Sequence, residues 1–124
     1  MANRTTQAAR LLLAGLLAFG LSSCAPKAEQ AGDAASLIRD GWTAYRLSEF
    51  KNALLAFETA RARAERGSDA WAMATYGLAT TWDLQRPGED PALATQLYRE
   101  ILAAAPDSPM IPWTELAVAR QQHL

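Results

Sequence analysis

Cysteine and histidine are nearly missing from this 124-residue chain, which has one of each. A lone cysteine cannot close an internal disulfide, and a lone histidine without paired cysteines leaves no protein-only metal cluster. Charge is nearly balanced, with 12 basic against 13 acidic side chains, and no basic patch points to nucleic acid. Gly-rich phosphate loops and Asp-rich metal loops are absent as well. His123 is the penultimate residue, has no nucleophile near it in sequence, and reads as a solvated terminal side chain. Glu89-Asp90 is fully explained as a solvated turn leading into a helix cap. The expectation is therefore a protein with no enzyme activity of its own, no cofactor and no metal. Nor does any stretch alternate with the period of 2 that marks a sheet strand, so the chain is expected to be all-α.

Long apolar runs are also lacking. Leu11 to Leu21 is apolar but covers only eleven residues, too few to cross a bilayer as a helix. With Arg4 and Arg10 before it, the run has the layout of an export signal. It closes on Leu21-Ser22-Ser23-Cys24, which resembles the bacterial lipobox. That resemblance implies cleavage before Cys24, acylation of its thiol and of the new amine, and removal of residues 1–23. The competing reading is an ordinary signal peptide with a chance cysteine, but the only cysteine stands where the lipobox requires it. Loss of Arg4 and Arg10 leaves ten basic against 13 acidic side chains. Several acyl chains anchor stably where one is marginal. Ala25 follows the cysteine in place of the aspartate that favours inner-membrane retention in enteric-type bacteria. By resemblance the protein is expected on the periplasmic face of an outer membrane, or at the cell surface of a Gram-positive source. Residues 24–35, rich in Ala, Gly, Gln and charge, are expected to form a lipidated flexible tether.

The remainder, 36–124, reads as five helices. Asp33 is a candidate N-cap for a first helix ending near Leu47, and Ser48 for a second running from about Phe50 to Arg66, stopped by Gly67. Ser68 or Asp69 opens a third helix reaching about Gln85. Asp90-Pro91 announces a fourth, which ends before Pro106, and a fifth spans about Pro112 to Gln122. In the run Gly41 to Ala60, the small residues Gly41 and Ala44 permit close helix approach. Ala53, Phe57 and Ala60, at i, i+4 and i+7, put a small-large-small stripe on one face of the second helix. Its short turn favours an antiparallel hairpin.

Gly41, Phe50, Ala53, Phe57 and Ala60 resemble the signature of the tetratricopeptide repeat in type and spacing, although Asp40 and Glu65 replace its usual leucine and proline. Gly77, Ala94, Tyr98, Ile101 and Pro106 repeat the pattern with five residues inserted at the 85–90 turn. Trp113, Leu116 and Ala117 match the opening of a third copy. The resemblance implies antiparallel hairpins stacked as a short solenoid, with repeats at about 34–67 and 70–108 and a capping helix at about 110–123. Trp113 is expected to be a packing tryptophan.

In that family the first helix of each repeat lines a concave groove. The matching places are Ile38, Trp42, Tyr45 and Arg46, then Trp71, Ala74, Leu78, Thr81 and Trp82. Two readings stay open: these aromatics fill core between short repeats, or they anchor a peptide in a groove, since Trp, Tyr and Arg dominate interface energetics. A clamp for chaperone tails is set aside, because Ile38 and Trp42 stand where such clamps carry Lys and Asn. The expected function is a membrane-anchored protein–protein interaction module, an adaptor or assembly factor in the bacterial cell envelope. Its candidate sites are Cys24 for lipid attachment and Ile38, Trp42, Tyr45, Arg46, Trp71, Leu78 and Trp82 for a partner protein. The alternatives are an accessory subunit of a cell-wall enzyme and a small apolar-ligand carrier using the tryptophan face.

Overall fold

The structure is a computed structural model that describes residues 26–123, with side chains from Asp33 onward. It is all-α, and no strand occurs among the described residues. The helices are α1 (Pro26–Arg46), α2 (Phe50–Arg63), α3 (Asp69–Leu84), α4 (Pro91–Ala104) and α5 (Ile111–Gln122). Each packs on the next, and α1 also packs on α3, which makes α3 the central element. Among the described residues no helix is long and apolar enough to cross a membrane. Cys24 and the expected export signal lie outside the described residues.

The first helix is longer than expected. It begins at Pro26, so residues 26–35, read above as a flexible tether, are helical. Pro26 suits a first turn because its missing N–H has no partner to lose there. Ala28, Ala31, Ala34 and Ala35 with Lys27, Glu29 and Gln30 are strong helix formers, and Ala34 is fully buried. Asp33 is thus inside α1 and caps nothing. Its carboxylate accepts from Arg63 Nη1 at 3.1 Å across to α2, an exposed pair worth about 1 kcal/mol at most.

The turn into α2 also departs from expectation. Ser48 does not cap α2. It adopts φ 61°, while its N–H donates to Tyr45 O at 3.0 Å and the Glu49 N–H to Ala44 O at 2.9 Å. This is the Schellman arrangement, with a serine where glycine is usual, and it closes the end of α1. Glu49 is the N-cap residue of α2 without a side-chain cap bond. Helix α2 stops at Arg63, short of Gly67, which is left-handed at φ 85°. A Cβ on Gly67 would come within 2.7 Å of Ala104 O, so this turn packs directly against the end of α4. The other caps follow the sequence. Ser68 Oγ accepts from Trp71 N at 3.2 Å, and Asp90 Oδ1 accepts from Leu93 N at 3.0 Å with Pro91 opening α4. The inserted 85–90 turn is tied by Gln85 Nε2 donating to Gly88 O and Asp90 N donating to Trp82 O, each at 2.7 Å.

The core follows the two stripes. Ala53, Phe57, Ala60, Ala94, Tyr98 and Ile101 are all fully buried. The Phe57 ring lies against both Gly41 of α1 and Gly77 of α3. A Cβ on Gly41 would fall 2.6 Å from Phe57 Cε1, and one on Gly77 would fall closer still. Thr75, Thr81 and Thr114 sit in the core because each hydroxyl donates to the carbonyl four residues back. Tyr98 shares a hydrogen bond with Thr80 at 3.2 Å. Asp83, nearly buried, accepts from Arg120 Nη2 at 2.7 Å and Gln121 Nε2 at 3.2 Å, which ties α5 to α3.

Two outcomes follow from this core. Gly77→Ala should destabilise by up to about 2 kcal/mol in urea melts. Helix propensity alone would favour alanine by about 1 kcal/mol, and overpacking a tight core costs about 1–3 kcal/mol. In a Phe57→Leu background the same change should cost less, which shows as non-additivity. The second outcome concerns pH. Burial pushes the Tyr98 hydroxyl up to about 12, against a partial opposing effect of its Thr80 bond. A raised folded-state pKa favours the neutral form in the fold. Its contribution is therefore complete below the unfolded value near 10 and is lost as pH rises through the folded value, with spectrophotometric titration reporting the late ionisation. Tyr98→Phe should flatten the fall in stability between those limits.

Candidate functional site

Apart from the exposed Arg46, the residues marked by the sequence for a partner belong to one core but divide into two groups, of which only the second lines a hollow. Ile38 of α1 is buried in the core. Trp42 is half-buried and packs edge-on against Phe57 (centroids 5.1 Å, 71°) and Tyr45 (5.6 Å, 80°), with Tyr76 of α3 at 6.3 Å. Tyr45 in turn meets Phe50 at 5.8 Å and 65°. These rings lock α1 to α2 and α3, the role of core. Arg46 is exposed, and its Nη2 donates to Thr43 Oγ1 at 3.5 Å.

The second group forms one side of α3. Trp71 and Leu78 are buried, as are Ala74 and Thr81, while Trp82 is half-buried. Trp71, Leu78 and Trp82 line a hollow of about 630 Å³ whose walls are α2 (Glu58, Arg61, Ala62) and α4 (Leu93, Leu97). Ala64 and Arg66, on the turn after α2, close one end. The hollow thus lies between the second helices of the two hairpins, with α3 as its floor. The expected groove along the first helices does not include it, and Ile38, Trp42, Tyr45 and Arg46 take no part in it. The reason is geometric: α2 and α4 both pack on α3, and the large side chains at i, i+7 and i+11 of α3 point into the space that separates them.

Sequence reasoning missed the arginines that set the electrostatics of this hollow. Arg61 Nε donates to Thr75 Oγ1 at 3.1 Å, and its Nη2 pairs with the Glu100 carboxylate of α4. The guanidinium carbons of Arg61 and Arg66 lie 5.5 Å and 5.1 Å from the Trp71 ring centroid. Two cations over one indole explain why Trp71 retains only 3% exposure although it lines a hollow. Arg66 is 66% exposed and reaches Glu100 only at 4.0 Å. The clue in the sequence was Arg61-Ala62-Arg63-Ala64-Glu65-Arg66, which is more than a helix dipole needs.

At the other end of the chain, Trp113 is 59% and Leu116 63% exposed. The expected packing tryptophan is therefore a surface residue. Helix α5 turns Thr114, Ala117 and Gln121 toward α3 and α4, and among the described residues no helix lies over its Trp113 face. No three His, Cys, Asp or Glu side chains gather as metal ligands among the described residues. What this arrangement offers is apolar contact and cationic hydrogen bonding.

The burial pattern has a direct test in thermal melts. Trp71→Ala should cost about 3–5 kcal/mol, the usual loss for a buried tryptophan. Trp113→Ala should stay within about 0.5 kcal/mol of wild type, as surface changes do. Equal losses from both would show that Trp113 is core after all.

Comparison of the sequence and structure with protein-family models, curated proteins and solved structures finds no match.

Proposed function

We propose that this protein is a lipid-anchored, tetratricopeptide-type interaction module of the bacterial cell envelope, which holds another protein in the hollow between α2 and α4. The observation that carries the reading is that hollow: two tryptophans, three leucines and two alanines set beside Arg61, the exposed Arg66 and one acid, Glu58. Trp and Arg are the side chains that concentrate energy in protein interfaces. Anchoring rests on Cys24 behind the Leu11–Leu21 run, with the outer membrane's periplasmic face as its place. In this role the protein is an adaptor or assembly factor.

A second reading, a carrier of small apolar ligands, is favoured by the volume, which falls in the range of small-molecule sites. The buried floor weighs against it, because Trp71 and Leu78 offer little uncovered surface to an apolar molecule. An accessory role beside a cell-wall enzyme is a special case of the first reading.

The anchoring is tested by Cys24→Ser, which should abolish acylation and move the protein from the membrane pellet to the soluble fraction. The binding is tested in the full chain in membranes, with a photo-crosslinking phenylalanine derivative at position 62 or 93 in the hollow. Discrete protein adducts are expected there and not from position 55, which is exposed and outside it. Absence of adducts at both hollow positions, with an apolar dye displacing nothing but water, would remove the module reading.

A further inference from the structure

The hollow has a direction. Trp71 and Trp82 are eleven residues apart on α3, so its floor runs about 16 Å at 1.5 Å per residue. That is room for about five extended residues at roughly 3.3 Å each. Trp82 and Leu93 make one end apolar. The Asp90 N–H bond to Trp82 O fixes the start of α4 beside that tryptophan. The other end is cationic. Arg66 stands there over Trp71 and also lines an adjoining hollow of about 410 Å³ on α4, together with Arg99, Gln96 and Thr95.

The charges at this end are not equivalent. Glu100 is already engaged by Arg61, which is itself held by Thr75, so that pair is closed. Arg66 touches Glu100 only at the limit of ion pairing, and Arg99 is exposed and makes no salt bridge among the described residues. Arg66, which lines both hollows, and Arg99, which lines the second, are therefore open toward solvent. The remaining acid, Glu58, lies further along the α2 wall beside the apolar part. It disfavours an acidic residue in the middle of the hollow and leaves the Arg66–Arg99 end as the place for negative charge.

The geometry points to a partner of stated chemistry: a peptide segment of another protein in which a few apolar side chains are followed by acidic ones. The apolar residues meet the half-buried Trp82 and Leu93, and the carboxylates face Arg66 and Arg99. This rests on the interaction-module reading and adds to it the charge and the polarity of the bound segment. It differs from the surface of α5, whose exposed Trp113 and Leu116 carry no such cationic end.

The probes are two fluorescein-labelled octapeptides, Leu-Ala-Leu-Leu-Ser-Glu-Glu-Asp and the same peptide with lysine at its last three positions. Fluorescence anisotropy at low ionic strength should show the acidic peptide binding at least about tenfold more tightly, a margin that shrinks as salt screens the contacts. The double variant Arg66→Glu/Arg99→Glu should reverse the preference. Arg39→Glu/Arg46→Glu, at exposed positions on α1 outside the hollow, should keep it. Cooperative melts of both variants establish that the fold is retained, with Arg66→Glu/Arg99→Glu melting somewhat lower for loss of the Arg66 contact with Trp71. In nitrogen-15 spectra the acidic peptide should shift the Trp82 indole N–H and leave that of Trp113 in place. Equal affinity for the two peptides, a preference that survives charge reversal, or shifts confined to Trp113 would each overturn the inference. Membrane cross-links from positions 62 and 93 that persist in the Arg66→Glu/Arg99→Glu variant would leave the module reading standing and remove the acidic segment. Loss of those cross-links with the charge reversal supports both.

Discussion

Everything in this fold depends on one ring fitted against two glycines. Phe57 reaches from α2 to Gly41 on α1 and to Gly77 on α3, and at neither place is there room for a methyl group. Close packing is what makes such a contact strong, because each gap of a fraction of an ångström forfeits dispersion energy. It also sets order. The ring that closes the first hairpin is also the ring on which the second hairpin docks, so the two contacts share one side chain. The half-buried Trp42, edge-on to Phe57 and tilted against Tyr76, adds to the same junction from the side.

The second hairpin solves the equivalent problem with a different side chain. Tyr98 occupies on α4 the stripe position that Phe57 holds on α2, and its hydroxyl needs a partner once it is buried. Thr80 supplies one, and the neighbouring Asp83 draws Arg120 and Gln121 down from α5. Exchanging a phenylalanine for a tyrosine thus turns an apolar junction into a polar one that recruits the last helix. Among the described residues every buried side-chain nitrogen or oxygen has a partner, so the polar cluster carries no desolvation debt. Helix α5 is held by hydrogen bonds and an ion pair on one side while its Trp113 side stays open.

Much of this was legible in the sequence where local chemistry decides the outcome. The helices α3, α4 and α5, the Ser68 and Asp90 caps, the extra turn at 85–90 and both small-large-small stripes follow from spacing and from residues with a single strong preference. Features settled by competition between neighbours were not legible. Asp33 has the chemistry of a cap, but alanines before and after it continue the helix, and Arg63 gives its carboxylate another partner. Ser48 likewise has a cap's hydroxyl and instead takes the left-handed place after α1. Trp113 matches a packing pattern, yet burial requires a second surface, and pattern alone does not say whether one is present.

The site shows the same division. That α3 carries a stripe of Trp71, Leu78 and Trp82 is plain from the period of the helix, but a helix packed on several sides has more than one apolar stripe. Periodicity does not tell which stripe faces a neighbour and which faces an opening. Here the central position of α3 decides it: α1 covers one side, α2 and α4 cover two more, and the space left between the last two is narrow enough for tryptophan to floor it. The arginines then follow from that floor. An indole at the open end of a hollow is costly in water, and guanidinium groups are the side chains that cover an aromatic face while keeping their own charge hydrated. Arg61 and Arg66 therefore serve the fold by shielding Trp71. The charge that shields it is also the charge an approaching segment meets first, which makes the cationic end of the hollow a consequence of how α3 is buried.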